Sequence, residues 1–206
     1  MNRFAVALLP VLAVIGTAAT LNTSSSRAAV AQTAPAAAPT WEVDAVHSVA
    51  LFRVKHLGAG AFWGRFTGLK GSFQYADGAD SLQCAVEIPM SGIDSGNKDL
   101  DAHLRSADFF DAEKNPTMNF QSKSVKKVDD RLYDVTGDLT IRGVTKSITA
   151  KFEWVGTADF GRGARCGLEA TFTIKRSDFG VSYGVANGAV SDETRIIVAL
   201  EGVKKP

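Results

Sequence analysis

Cysteine and histidine are both scarce in this chain, at 2 and 3 of its 206 residues, and that scarcity removes several chemistries at once. Cys84 and Cys166 have no second Cys or His at ligand spacing, and His47, His56 and His103 show no H-x-x-x-H pattern, so a metal centre has no signature here. There is no G-x-S-x-G elbow for a serine nucleophile. Ser48 follows His47 on an extended segment, where neighbours point to opposite faces and cannot serve as nucleophile and base. The glycine-rich stretch at residues 58–64 lacks the G-x-G-x-x-G spacing and opens no helix, which argues against a phosphate cradle. Charge of one sign is not in excess, with 23 basic against 22 acidic residues, so no nucleic-acid footprint is expected. The basic cluster at residues 123–127 is interrupted by Ser124 and Val125 and reads as a solvated face. No fixed-period repeat is present.

Long apolar runs are missing too. The uncharged run at residues 4–19 contains Pro10 and falls short of the roughly 20 residues a membrane-spanning helix needs. With Arg3 before it and small polar residues after it, the run predicts a secretory signal at residues 1–31, ending at Ala29-Val30-Ala31, with Thr17-Ala18-Ala19 as the earlier alternative. No cysteine follows either site, so a lipid-modified N-terminus is not expected. Residues 32–40 read as a flexible Ala/Pro linker, and residues 41–206 as one domain. Removing residues 1–31 deletes Arg3 and Arg27, so 23 basic residues become 21 against 22 acidic, a net charge of −1. The expected location is periplasmic, or extracellular where no outer membrane exists, with no stable membrane insertion after cleavage. Export would permit a disulfide, although both cysteines fall on apolar strand faces and read as small buried hydrophobes.

What the chain does contain is alternation. Ile148, Ala150, Phe152 and Trp154 interleave with Ser147, Thr149, Lys151 and Glu153, and the same period of two separates Cys166, Leu168, Ala170, Phe172 and Ile174 from their polar neighbours. Leu82, Cys84, Val86 and Ile88 repeat it, as do Leu69, Gly71, Phe73 and Tyr75, with Asp77-Gly78 as the turn between them. About eight such strands predict an all-β, closed antiparallel barrel, since closure removes unpaired edges. Helical spacing occurs once, at residues 97–110, through Leu100, Leu104 and Ala107, with Asp101 placed to pair with Arg105. The inward faces nominate Phe52, Val54, His56, Phe73, Val86, Ile88, Leu139, Ile141, Phe152, Ala170, Phe172 and Ile174 as the ligand-binding wall. Small inner residues such as Gly71, Gly137, Ala150 and Ala170 would leave room for a long thin guest. The same faces also suit a barrel filled by its own side chains. His56 reads either as a hydrogen-bonded interior histidine or as a contact to the polar end of a guest, and Asp99 with His103 as a structural pair or as an acid/base pair of a hydrolase or isomerase. Arg176 and Asp178 are placed to fix a corner. Residues 194–200, apolar on both sides at Ile196, Ile197 and Val198, suit a closing strand or a homodimer contact.

The ordered signals His47-Ser48, Phe52-x-Val54-x-His56-Leu57, Asp99-x-x-x-His103-Leu104, Asp108-Phe109-Phe110 and Asn115-Pro116 are followed by Gly137-Asp138-Leu139-Thr140-Ile141-Arg142-Gly143-Val144-Thr145-Lys146 and Arg176-Ser177-Asp178-Phe179-Gly180-Val181. Together they resemble the YceI-like family of exported bacterial lipid-binding proteins over residues 41–203. The resemblance implies a lipocalin-like antiparallel β-barrel with a short helical insertion, a bound polyisoprenoid or isoprenoid quinone-like amphiphile as ligand, no cofactor and no enzymatic activity. One departure is the absence of an Arg shortly before His103: this chain has Leu100-Asp101-Ala102, with Lys98 and Arg105 as the nearest basic residues.

Overall fold

The computed structural model describes residues 38–76 and 82–205; the expected signal at residues 1–31, most of the linker at 32–40 and the Asp77-Gly78 turn lie outside them. Eleven strands form one sheet that closes on itself. Three of its strand positions are each interrupted once. β1 (Thr40–Val43) and β2 (Val49–His56) both run antiparallel to β11 (Glu193–Lys204), through Trp41↔Lys204 and Phe52↔Ile196. β3 (Gly60–Phe66) pairs with β2, and β4 (Lys70–Tyr75) with β1. β5 (Leu82–Pro89) pairs with β4 and, after a 3-10 turn at Met90–Gly92, β6 (Ile93–Asp94) returns to β3. β7 (Thr117–Lys127), β8 (Leu132–Ile141), β9 (Val144–Ala158) and β10 (Arg165–Lys175) are continuous and complete an up-and-down order. Taking each interrupted pair as one position gives the expected eight-stranded closed barrel.

The interruptions are held by hydrogen bonds that replace the missing ladder. Between β1 and β2 the Glu201 N–H donates to Ser48 Oγ at 3.0 Å and the Asp44 N–H donates to Glu201 O at 2.8 Å, which is why a buried serine stands at this point. Between β3 and β4 the Thr67 N–H reaches Gly92 O at 2.9 Å. The helix α1 (Lys98–Arg105) is shorter than the spacing predicts. Asn97 caps it, its side chain accepting from the Asp99 and Leu100 N–H groups at 3.0 Å each, and the chain leaves the helix at Ser106. Asp101 does not pair with Arg105; its carboxylate turns back to accept from the Ser95 N–H at 2.7 Å.

One end of the barrel is filled. The Trp41 indole N–H donates to Tyr75 O at 2.9 Å, the Tyr75 and Tyr133 hydroxyls meet at 3.2 Å, and Phe73, Cys84, Phe152, Cys166 and Leu168 pack around them. Cys84 and Cys166 are both buried thiols, and burial pushes the Cys84 thiol up to about 12. The inner glycines do not leave the free space expected of them. A Cβ on Gly137 would lie 2.6 Å from the Phe120 ring, one on Gly202 2.6 Å from the Phe73 ring, and one on Gly64 2.3 Å from the Phe52 ring. Each glycine is the seat of an aromatic ring, from the paired strand at Gly64 and Gly137 and from β4, on the far side of β1, at Gly202.

Gly71 answers a different constraint. Its φ is +127°, and a Cβ there would lie 2.1 Å from the Ala85 carbonyl oxygen on the paired strand. Gly71→Ala therefore combines backbone strain with a clash that no side-chain rotation relieves, and the expected loss of stability is about 3 kcal/mol. Denaturant unfolding checks this; a loss below about 1 kcal/mol, ordinary for a surface substitution, would contradict it.

Candidate functional site

The other end of the barrel is hollow. A cavity of about 370 Å³ lies beneath the two longest connections, the β6–β7 segment containing α1 and the β10–β11 loop. Eight of the twelve residues expected on the wall line it: Phe52, Val54, His56, Ile88, Leu139, Ile141, Phe172 and Ile174. Phe73, Val86, Phe152 and Ala170 do not. They occupy the same inward register but lie further along their strands, packed into the hydrophobic core below the hollow. Phe62 and Phe66 on β3, Phe120 on β7 and Ile196 and Val198 on β11 are among the further residues of the wall.

The cap comes from segments without strand periodicity. Leu100, His103 and Leu104 of α1 and Phe109 and Phe110 after it close one side, and Phe179, Val181, Tyr183 and Val190 close the other. The two meet through His103, whose ring stands edge-on to Phe109 at 5.0 Å and to Tyr183 at 4.9 Å. His103 Nε2 lies 3.0 Å from Asp108 Oδ2, so its carboxylate partner is Asp108 and not the expected Asp99. Arg142 ties the same two segments together, its guanidinium donating to Ala107 O at 2.8 Å and to Gly180 O at 2.5 Å. It reaches both because Arg142 (φ +49°) and Gly143 (φ +74°) form a two-residue hairpin turn with positive φ at both positions. The Arg142-Gly143 step of the motif at residues 137–146 is thus a clasp across the cap.

Arg176 organises the β10–β11 loop. Its buried guanidinium donates to four backbone carbonyls, those of Ser191, Val181, Tyr183 and Val190, at 2.8–3.0 Å. Burial pulls its pKa down, with Asp192 acting in the opposite sense. The partner at this corner is Asp192 and not Asp178, since Asp192 accepts from both the N–H and the Oγ of Ser177 at 2.8 Å. Burial alone would raise the Asp192 carboxyl, but the Ser177 hydrogen bonds and the Arg176 charge hold it below its ordinary value.

His56 stands exposed at the rim, where its backbone bridges to Val190. The reading as a hydrogen-bonded interior histidine is therefore corrected: the β2–β3 turn carries the ring out of the core. Among the described residues no buried side-chain nitrogen or oxygen lacks a hydrogen-bond partner. The hollow therefore offers a guest apolar surface, and polar contacts are confined to its mouth.

Away from the cavity, Asp44, His47 and Glu201 bring their ligand atoms within 4.8 Å of one another on the outer surface. The carboxylates are already served, Asp44 by His47 Nδ1 at 3.0 Å and Glu201 by Arg165 Nε at 3.3 Å. The Asp44 hydrogen bond raises the His47 pKa above its ordinary 6.5. The same pairing holds the Asp44 carboxyl below its ordinary value, so the contribution of this pair to stability is present between the two titrations, is lost as pH rises through the raised His47 value, and is lost again in acid as Asp44 protonates. In Asp44→Asn the His47 titration followed by NMR should shift to lower pH, and an unmoved midpoint would contradict the pairing.

Comparison with known proteins agrees with this architecture. The model of the YceI-like domain matches residues 41–202. Protein YceI of Escherichia coli O157:H7 is 38% identical over 164 residues, covering 77% of this chain and 83% of the relative. The crystal structure of BcnA from Burkholderia cenocepacia superposes with a TM-score of 0.68 at 25% identity, covering 77% of this chain and 98% of that one. A polyisoprenoid binding domain from Saccharophagus degradans, implicated in plant cell wall breakdown, shares the fold with a TM-score of 0.63 at 16% identity, over 82% and 99% of the two chains. With a barrel of eight strand positions, a capped hollow at one end and a family match across the whole domain, this chain belongs to the YceI-like family.

Proposed function

We propose that this protein is an exported lipid carrier or sequestering protein that holds an isoprenoid lipid, of the polyisoprenoid or isoprenoid quinone class, in the hollow end of its barrel. The observation that carries the reading is the cavity itself, apolar on nearly every side and free of buried unpartnered polar atoms among the described residues. Burial of a CH₂ group contributes about 0.8 kcal/mol, so ten of them supply roughly 8 kcal/mol before the costs of association, enough for retention without a polar anchor. The polyisoprenoid-binding description of the Saccharophagus degradans domain supports the ligand class. At about 370 Å³ the hollow is near the small end of pockets that enclose a drug-sized molecule. It accommodates a few isoprene units, with a longer chain extending through the mouth. Binding without turnover is the activity this arrangement favours, because the residues that line the hollow include no Asp, Glu, Ser, Cys or Lys to serve as nucleophile or carboxylate acid/base. Mass spectrometry of the exported protein under non-denaturing conditions, with an organic extract analysed in parallel, tests the proposal. A stoichiometric isoprenoid is the expected result; a clean apo mass that persists after incubation with isoprenoid quinones would overturn it.

A further inference from the structure

Two segments at the cavity mouth, the β2–β3 turn with the start of β3 and the β10–β11 loop, are without charge. Residues 56–64 and 179–191 contain no Asp, Glu, Lys or Arg, in a chain of which 22% is charged. They are joined to each other: the Leu57 N–H donates to Ala189 O at 2.8 Å, and His56 bridges to Val190. Their inner residues, among them Phe62, Tyr183 and Val190, line the cavity, so the outer tip is continuous with its mouth. At the crest stands Leu57, 66% exposed, on a backbone with φ +52°. A leucine in the left-handed region, directed into water beside glycines that would suit that conformation better, is a cost to the folded chain without an internal return. Tyr183 and Trp63 are the exposed aromatics of the same end, 48% and 43% accessible, and Trp63 lies on the outer face of β3, three residues or about 10 Å beyond Gly60. The most exposed aromatic among the described residues, Phe160, lies on the β9–β10 connection at the filled end, between Asp159 and Arg162, and belongs to no such patch.

We infer that this tip docks on a lipid bilayer, inserting Leu57 and its small neighbours below the headgroups so that the cavity mouth opens onto the membrane. The inference rests on the lipid-carrier reading, since a guest that passes from bilayer to barrel through such a mouth never crosses water. A leucine tip with aromatic residues set back from it matches the depth profile of a membrane interface. The lack of charge predicts adsorption that does not depend on anionic lipid. Docking of this kind is peripheral and reversible, and among the described residues no helix is long and apolar enough to cross a membrane.

Flotation of the exported protein with phosphatidylcholine vesicles tests this, alongside the rate at which it takes an isoprenoid quinone from those vesicles and its equilibrium binding of farnesol added without vesicles. The wild type should float, and should continue to float in about 1 M salt, where charge interactions are screened within roughly 3 Å. Leu57→Asp should reduce both the floated fraction and the uptake rate about tenfold or more while farnesol binding is unchanged, because Leu57 is not on the cavity wall. Aspartate tolerates the left-handed backbone at this position. Ala186→Asp, on the other loop, should repeat the effect from an independent site. A wild type that does not float, or variants that float and load as the wild type does, would overturn the docking. So would a dimer at high protein concentration that dissociates in Leu57→Asp, since the tip would then serve a second copy. Flotation without farnesol binding would keep the docking and discard the carrier reading.

Discussion

Replacing Ile196 with tryptophan should empty the barrel of lipid while leaving it folded. Ile196 lies on β11 between Phe52 of β2 and Phe172 of β10, all three on the cavity wall, and it is only partly buried because its inner surface faces the hollow. A tryptophan there has space to occupy, so the overpacking cost of about 1–3 kcal/mol that a filled core would impose is largely avoided. The bulk is gained at the expense of the guest. Displacing the equivalent of about four CH₂ groups removes roughly 3 kcal/mol, which corresponds to a loss of affinity of about a hundredfold. The adjacent position supplies the control. Ile197 points to the other face of the same strand and is not on the wall, so Ile197→Trp should retain lipid at the wild-type level. Titration with an isoprenoid quinone, together with thermal unfolding of both variants, separates the outcomes; equal affinities in the two would place the lipid somewhere other than this cavity.

The same substitution at Ala170 would test nothing of the kind, and the reason shows what the sequence can convey about a barrel. Alternation determines which face of a strand is inward, and Phe52, Val54, Leu139, Ile141, Phe172 and Ile174 were legible as wall for that reason. It does not report depth. Ala170 and Ile174 have the same inward phase on β10, four residues apart, yet one packs in the filled end and the other borders the hollow, because the filling of each level is decided by aromatic residues from other strands. Gly137 makes the point sharply: the small residue signals space, and the space is taken by Phe120 from β7. The interrupted strands were also hidden, since Ser48 and the 3-10 turn at Met90 have no periodic signature. The cap was the least legible part. Phe109, Phe110, Tyr183 and Val190 lie on irregular segments, and the available signals were compositional: adjacent phenylalanines after a short helix, and thirteen uncharged residues at 179–191. Asp108 rather than Asp99 became the partner of His103 because the helix ends at Ser106 and the following turn folds back.

Arg176 carries the other large expected effect. Four carbonyls of the β10–β11 loop converge on the guanidinium of Arg176, a residue only 7% exposed, and Val181, Tyr183 and Val190, three of the residues that supply them, also line the cavity. Arg176→Leu would leave those carbonyls without donors in a place water reaches poorly, at a cost of about 3–5 kcal/mol. For a domain of this size that corresponds to a fall in melting temperature of about 10 °C or more. Arg176→Lys should rescue little of it, because an ammonium is a point donor and cannot span four carbonyls that a planar fork reaches in different directions. The loss should be local before it is global. Amide exchange should accelerate first over residues 181–191, at temperatures where the β8–β9 and β10–β11 ladders remain protected, and lipid retention should fall with it as the rim loosens. Uniform acceleration across all strands would mean that Arg176 supports the barrel as a whole. Selective acceleration would identify it as the residue that holds the mouth of the cavity in shape.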